Sequence, residues 1–424
     1  MKVLIVSHNS FSKIYNNGKT LESIFSAFSR EDLAQIYFTE NMSPDFEFCN
    51  NYFKVADVDV LKSLLKNYSD CGVDMSLNNF FLNSTNVKLT KGSRLFRFAK
   101  SKTDHLVFLR DILWSFNSWK SKSFLDWTKK FNPDVIFYVG GNFGFSHEIA
   151  FYLSKKLKTP LVSYFTDDYL IYPKYKNLLD TIQRLRMKKF YTKTVQQSSL
   201  CFAIGNVMAN EYSSYFGKEF FSIMNSIEKQ EYQPYFEKEE IIFSYFGGLH
   251  LNRWKMLKRL AKFITKGTIN VYSMDKPCDE VLVEFKKVNL KFNGSVEGED
   301  LRNAILKSDI LLHVESDDSY NRTLTKLSVS TKIPEYLMSG RLVLGFGPEE
   351  VASMKILSDN KIGVVIPSSV SDDCLKSELI KLTSDFELRK QIGLQGYDYA
   401  IKNFDNKIIA KKFKEKIENL IINK

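Results

Sequence analysis

Asp309–Pro348, DILLHVESDDSYNRTLTKLSVSTKIPEYLMSGRLVLGFGP, carries the pattern that decides the fold. Ile310 to Val314 is a short apolar run and reads as a buried strand. It places Glu315 at the carboxyl edge of a sheet. A polar loop follows, and Ser328 to Lys332 leads into a helix over Ile333–Met338. Pro334 sits in its first turn, where a missing N–H costs nothing. Gly340 ends the helix, and Leu342 to Phe346 begins another buried strand. Strand, helix and strand in this order predict parallel pairing. Free backbone N–H groups at the helix start, with Lys332 and the Ser330 and Thr331 hydroxyls, make an anion site. Glu335, in the first turn, can accept two hydrogen bonds from a ribose diol. Each part also has a purely structural explanation: Glu335 complements the helix dipole, and Ser330 or Thr331 serves as an N-cap. The order of the parts, more than any one of them, points to a ligand site.

The alternation extends in both directions. Toward the N-terminus, strands at Ile241–Phe246, Ile269–Tyr272 and Leu290–Phe292 alternate with helices at Trp254–Ile264, Glu280–Lys287 and Leu301–Lys307. Beyond Pro348, Val364–Ile366 is a strand, and the tail is helical over Asp385–Asn403 and Lys407–Ile422. The first half has strands at Val3–Val6, Gln35–Phe38, Asp134–Val139 and Leu161–Phe165, with helices at Thr20–Phe28 and Ser146–Leu157; residues 55 to 130 show no clear order. NSIEKQEYQPYFEKEE, residues 225–240, is polar and has neither period, which marks a linker. The chain is therefore expected to be α/β, with a domain over 1–224, a linker over 225–240, a second domain over 241–400 and a C-terminal helix over 401–424 that can pack back on the first domain. Two such domains would face each other across a cleft at the carboxyl ends of their sheets, where ligands bind in open α/β folds.

A second motif is Tyr245-Phe246-Gly247-Gly248-Leu249-His250-Leu251-Asn252-Arg253. A strand ends in two glycines, which let a ligand approach the backbone, and Arg253 can grip a diphosphate with two N–H groups. A tight turn followed by a solvated Arg explains the residues equally well. There is no Walker A spacing and no GxGxxG.

With these residues in view, the second half resembles the donor domain of GT-B glycosyltransferases of the family 4 group and its capsule and O-antigen relatives. Gly247-Gly248 with Arg253 resembles the group's glycine turn and phosphate-binding Arg. Tyr272-Ser273 and Asn293-Gly294-Ser295-Val296 resemble its base-side loops. Ser330-Thr331-Lys332 with Glu335 resembles the end of its E-x7-E motif, whose second Glu binds ribose, and Asn225-Ser226-Ile227 resembles the segment entering its linker. The likeness covers residues 225 to 370 well and the first half weakly. It departs at Leu327, where the group has its first Glu, and at Thr166-Asp167-Asp168, where the group has a His-Asp pair. Glu315, Asp167 and Asp168 are the catalytic candidates that remain, an Asx turn before Tyr169 being the other account of the aspartates. Asn17 and Gly18 resemble the loop near the transferred sugar, or form an ordinary turn before a helix.

The resemblance implies transfer of a sugar from a nucleotide-diphosphate donor to a glycan or lipid-linked glycan, with retention of configuration, in cell-envelope synthesis. Two other readings stay open: a GT-B sugar-nucleotide epimerase, and a basic nucleic-acid-binding protein. Against the second, no RNA-binding aromatic motif is present. No metal or other cofactor is expected. Asp57-Val58-Asp59 spells DxD but precedes Leu61–Leu65 and reads as a helix cap, and the five His lack zinc spacing. Scattered cysteines, no long apolar run and an N-terminal apolar stretch of only five residues fit a cytoplasmic protein. A net charge of +11 over 424 residues calls for an anionic partner. Residues 91–131 hold ten Lys or Arg against three Asp, interleaved with Trp114, Trp119 and Trp127. This segment suits the anionic inner face of a plasma membrane; a basic face over a Trp-anchored core is the alternative.

Overall fold

Strands buried on both faces need a near-continuous apolar sequence, and VLIVS, VIFYVG and LVLGFG are buried along their whole lengths. The computed structural model describes residues 1–12, 16–40, 42–66, 70–79, 104–172 and 178–422. Its contacts divide into two units, Met1–Met224 with Ala410–Lys424, and Asn225–Ile409.

The first unit holds β1 (Val3–Ser7), β2 (Leu33–Tyr37), β3 (Asn51–Lys54), β4 (Val73–Asp74), β5 (Val135–Gly140), β6 (Leu161–Phe165), β7 (Ser198–Ala203) and β8 (Phe221–Ser222). They form one sheet in the order β4-β3-β2-β1-β5-β6-β7-β8. Every pairing is parallel except β3 with β4. The unordered stretch after residue 55 contains the helices Asp57–Lys66, Asp104–Ser115 and Lys122–Phe131. Trp114, Trp119 and Phe124 are fully buried in the core they cover. Residues 178–222 form the helix Leu178–Gln197, β7, the helix Gly205–Phe216 and β8. The last helix, Asn406–Ile422, ends in this unit. Phe413 meets Phe25 and Phe137 edge-on at 5.2 and 5.5 Å, and Lys414 Nζ donates to Ala27 O at 3.1 Å.

The second unit holds β9 (Ile242–Phe246), β10 (Thr268–Tyr272), β11 (Leu290–Gly294), β12 (Ile310–Val314), β13 (Leu342–Gly347) and β14 (Val364–Pro367). All are parallel, in the order β11-β10-β9-β12-β13-β14. Residues 225–240 belong to this unit. Tyr235 is buried there, its hydroxyl accepting from Arg389 Nε at 3.0 Å, and Tyr397 donates to Gln230 O at 2.8 Å.

Candidate functional site

Counted from β9, the second sheet runs 3-2-1-4-5-6, so the order in which strands are added reverses between β9 and β12, all strands staying parallel. Connections leaving two adjacent strands on opposite sides open a crevice at their carboxyl ends, the usual ligand position in such sheets. The residues leaving β9 begin with Gly247-Gly248, and those leaving β12 begin with Glu315. Two sequence motifs that lie about 60 residues apart therefore meet at one point because of strand order.

Gly247 leaves β9 with its N–H on Tyr272 O at 3.0 Å, and Tyr245 donates its hydroxyl to Gly248 O at 2.7 Å. A side chain at Gly248 would run into the His250 ring. Leu251 and Asn252 both adopt left-handed backbone, φ 58° and 60°, a costly conformation for Leu. This turn starts the helix Arg253–Ala261 and aims Asn252 and Arg253 across the switch point. Asn252 Nδ2 donates to Asp318 Oδ2 at 3.0 Å. Arg253 meets Glu315 through Nε at 3.3 Å and through Nη2 at 3.0 Å to both carboxylate oxygens.

The Arg253–Glu315 pair is deeply set, with side chains 17% and 4% exposed. Burial pushes the Glu315 carboxyl up from its usual range, against the pull of Arg253. Burial also opposes the Arg253 charge, but the Glu315 carboxylate outweighs it and the guanidinium gains affinity for its proton. His313 Nε2 lies 3.6 Å from Glu315, and burial, with Arg253 adding, drops the imidazole to about 3. His313 is thus neutral at pH 7, and its contact is not an ion pair. Asp318 caps the helix Ser319–Thr325. Burial works against its charge, but hydrogen bonds from Asn321, Ser316 and Asn252 hold the carboxyl well below the ordinary range. Asp318, Asn252 and His313 were not among the expected site residues. An S/D-x-x-polar cap signal was present at Asp318, but nothing local ties it to Asn252.

Further along the connection from β12 to β13, the helix Ile333–Met338 begins after Ser330-Thr331-Lys332, with Pro334 in its first turn as expected. It has only six residues, so its dipole is small. Lys332 Nζ donates to Glu335 Oε2 at 3.1 Å, and Glu335 is buried. Ser330 Oγ accepts from Lys332 N at 3.3 Å, and Thr331 O accepts from Asn225 Nδ2 at 3.2 Å. Tyr336 locks this helix to the end of β9, accepting from Phe246 N at 3.0 Å. Ser273 N donates to Gly294 O at 2.8 Å, tying together the loops after β10 and β11. Gly294 has φ 78° and faces open space, and Val296 follows in a half-exposed loop. Phe246 and Tyr272 stack at 4.7 Å with planes 4° apart beside these loops.

The first-unit candidates have different surroundings. Asp168 follows β6 and is buried. Its carboxylate accepts from Leu170 N, Ile171 N and Tyr172 N at 2.9 Å each and from the Tyr212 hydroxyl at 3.1 Å. That set builds a turn and fills both oxygens. Asp167 accepts from Thr166 Oγ1 at 3.3 Å. Asn17 and Gly18 lie in the helix Asn16–Phe25, where a Cβ at Gly18 would stand 2.6 Å from Ser10 O; Gly18 is required by close backbone packing. Asp57 accepts from Arg110 Nε and Trp114 Nε1 at 2.8 and 2.7 Å, and Asp59 accepts from Ala56 N at 2.8 Å, so both hold helix ends and packing. Among the described residues no group of three His, Cys, Asp or Glu is placed to hold a metal, and no helix is long and apolar enough to cross a membrane. The tryptophans expected at a membrane surface are corrected: Trp114 and Trp119 are core residues and Trp127 packs half-buried on the same core. Residues 91–103 of that basic segment lie outside the described residues.

No family model and no curated protein sequence matches the chain. Solved structures match its fold. HepE from Anabaena, solved with UDP-glucose, has a TM-score of 0.60 at 12% identity over 99% of this chain and 100% of that one. WaaG, a glycosyltransferase involved in lipopolysaccharide biosynthesis, gives 0.58 at 14% over 97% and 98%. The N-terminal domain of Candida albicans trehalose-6-phosphate phosphatase gives 0.62 at 9% over 98% and 96%. The chain spans 57% of the length of TarM, another match, with 70% of its own length. The fold is that of the GT-B glycosyltransferases: α/β, in two units each built on a mainly parallel sheet.

Proposed function

We propose that the chain is a glycosyltransferase whose second unit binds a nucleotide-diphosphate sugar, the sugar passing to a hydroxyl of a glycan or lipid-linked glycan in cell-envelope synthesis. The observation that carries this reading is the pairing at the carboxyl edge of the second sheet. Arg253 with Glu315 and Lys332 with Glu335 place two cations and two buried carboxylates around the end of β9. In this reading Arg253 and Lys332 meet the two phosphates, Glu335 turns from Lys332 to the ribose hydroxyls, and Ser273, Gly294 and Val296 border the base. Gly247 and Gly248 keep the turn close to the diphosphate.

The sugar C1–O bond breaks with its electron pair on the diphosphate, and the acceptor oxygen takes C1 as it loses its proton. Charge collects on the leaving phosphate oxygens, and two fixed cations there lower that barrier. Glu315 then acts as a positioning residue: its carboxylate is occupied by Arg253 and orients the guanidinium. Retention follows from the family resemblance. HepE was solved with UDP-glucose, which makes UDP the first nucleotide to try. Isothermal titration with UDP, GDP, dTDP, CMP and ADP is expected to yield one or more micromolar binders, and incubation with the matching sugar nucleotide to release the nucleoside diphosphate and free sugar slowly. Absence of binding by all five would overturn the reading.

A further inference from the structure

Two consecutive residues on the connection leaving β9 hold two acids, Glu315 and Asp318, on the connection leaving β12. Asn252 Nδ2 donates to Asp318 Oδ2 at 3.0 Å, and Arg253 Nη2 reaches both oxygens of Glu315 at 3.0 Å. The turn that presents them is strained. Leu251 and Asn252 stand one after the other in left-handed backbone, which a side chain like that of Leu adopts only where its surroundings over-determine it. Asn252 also occupies the N-cap position of the helix Arg253–Ala261, where an Asn side chain ordinarily accepts from N–H groups of the first turn in extended backbone. It makes no such bond, with φ 60° and ψ 16°. Its amide crosses to Asp318 instead. The turn therefore forgoes a cap and carries strain, and what its side chain gains is a contact on the opposite connection.

Asp318 is fixed by its own loop. Its Oδ1 accepts from Asn321 N at 2.9 Å, capping the helix Ser319–Thr325. Its Oδ2 accepts from Ser316 Oγ at 2.6 Å and from Asn321 Nδ2 as well as from Asn252. Ser316 and Asn321 are both buried. Asn252 is thus tied to an anchored carboxylate. Contact at Glu315 alone would leave the Arg253 side chain free to swing about one carboxylate. A second contact, from the residue just before it, fixes the direction in which the turn ends and so the plane of the guanidinium. Arginine grips phosphate oxygens in pairs, so its orientation matters as much as its position, and such alignment comes from the neighbours that hold the binding side chain in place. We propose that the Asn252–Asp318 hydrogen bond is the positioning contact that aligns Arg253 for the donor diphosphate. The proposal rests on the donor-site reading above. Neither Asn252 nor Asp318 touches the donor in it; both act through Arg253.

Calorimetry with two ligands tests the clasp: whichever of UDP, GDP, dTDP and ADP binds most tightly, and the corresponding nucleoside. Asn252→Gly removes the side chain and keeps the backbone, since Gly adopts the left-handed region without penalty. Asp318→Asn keeps an oxygen for the Asn321 amide and sets its own NH2 group against that of Asn252. Each change is expected to weaken the diphosphate about fivefold to tenfold and the nucleoside less than about twofold. In an Arg253→Ala background neither change should weaken the diphosphate further, because residues that act through one group are not additive. The proposal is overturned if either variant binds the diphosphate as wild type does, or if the nucleoside weakens in the same proportion, as a merely structural turn would require. It is also overturned if either effect persists in full without Arg253. Failure of the donor reading looks different: the wild type then binds no diphosphate, or Arg253→Ala binds it as tightly as wild type, and the clasp is overturned with it.

Discussion

Glu315 in the second unit and Asp168 in the first are both buried carboxylates just beyond the carboxyl end of a parallel strand, yet their partners differ in kind. Asp168 accepts from three consecutive backbone amides and a tyrosine hydroxyl. Those donors are fixed by the chain, and removing the carboxylate strands them. Glu315 is held by Arg253, as Glu335 is held by Lys332; long cationic side chains can exchange one anion for another without disturbing the backbone. Burial and position alone therefore do not mark a ligand site.

The largest effect that would sharpen this contrast is expected at Arg253. Arg253→Ala should reduce nucleoside diphosphate affinity by about two decades while weakening nucleoside binding little. It should also cost about 3–5 kcal/mol of stability by leaving Glu315 buried and unpaired. The double variant Arg253→Ala/Glu315→Ala should recover much of the stability and none of the affinity; calorimetry and denaturant melts read the two separately. Recovery of affinity in the double variant would break the comparison. Glu335→Gln should come next. Loss of a charged hydrogen bond to ribose costs about 1.5–3 kcal/mol, or roughly one to two decades in affinity, with little change in unfolding; equal affinity in calorimetry removes the ribose role.

Asp168→Asn should invert that result. Its amide cannot accept at every site the carboxylate fills, so the first unit should lose about 1–3 kcal/mol in urea melts with nucleotide affinity unchanged. A drop in affinity would give Asp168 a part in binding. Acid should weaken both units, the first more. Burial lowers His8 and His147 in the first unit and His313 in the second to about 3. Between that value and the unfolded value of about 6.5 the unfolded chain binds more protons. Stability is therefore full above about pH 6.5 and falls as pH drops, by about 1.4 kcal/mol per pH unit for each histidine. Melts between neutral and mildly acid pH check this, and His313→Asn should flatten the slope. The smallest effect is expected from EDTA: if Arg253 and Lys332 neutralise the leaving group as proposed, nucleoside diphosphate release should persist, and loss restored by Mn²⁺ would reopen Asp57-Val58-Asp59.

Much of the second unit was legible. The strands at β9, β12 and β13 and the helix at Ile333–Met338 fall where the apolar runs and Pro334 placed them, because a strand buried on both faces leaves no room for polar residues. Leu178–Gln197 carries Leu178, Ile182 and Leu185 on its solvent face and Asp180, Gln183 and Thr194 on its buried one, which erases the period by which a surface helix is recognised. The same residues that hid it make its exposed face unusual.

Local sequence thus determined the alternation of α and β, the glycine turn at Gly247-Gly248 and the arrival of Ser330-Thr331-Lys332 at a helix start, since each depends on the burial or backbone freedom of a few neighbouring residues. Tertiary structure alone decided which charges meet. Arg253 and Glu315, like Asn252 and Asp318, belong to different connections and face each other only because β9 and β12 are neighbours in the sheet. It also decided that Trp114 and Trp119 lie inside while Leu178 and Leu185 lie outside. Hydrophobicity says that a side chain gains by leaving water, but which of several apolar faces does so is settled by the neighbours that pack against it.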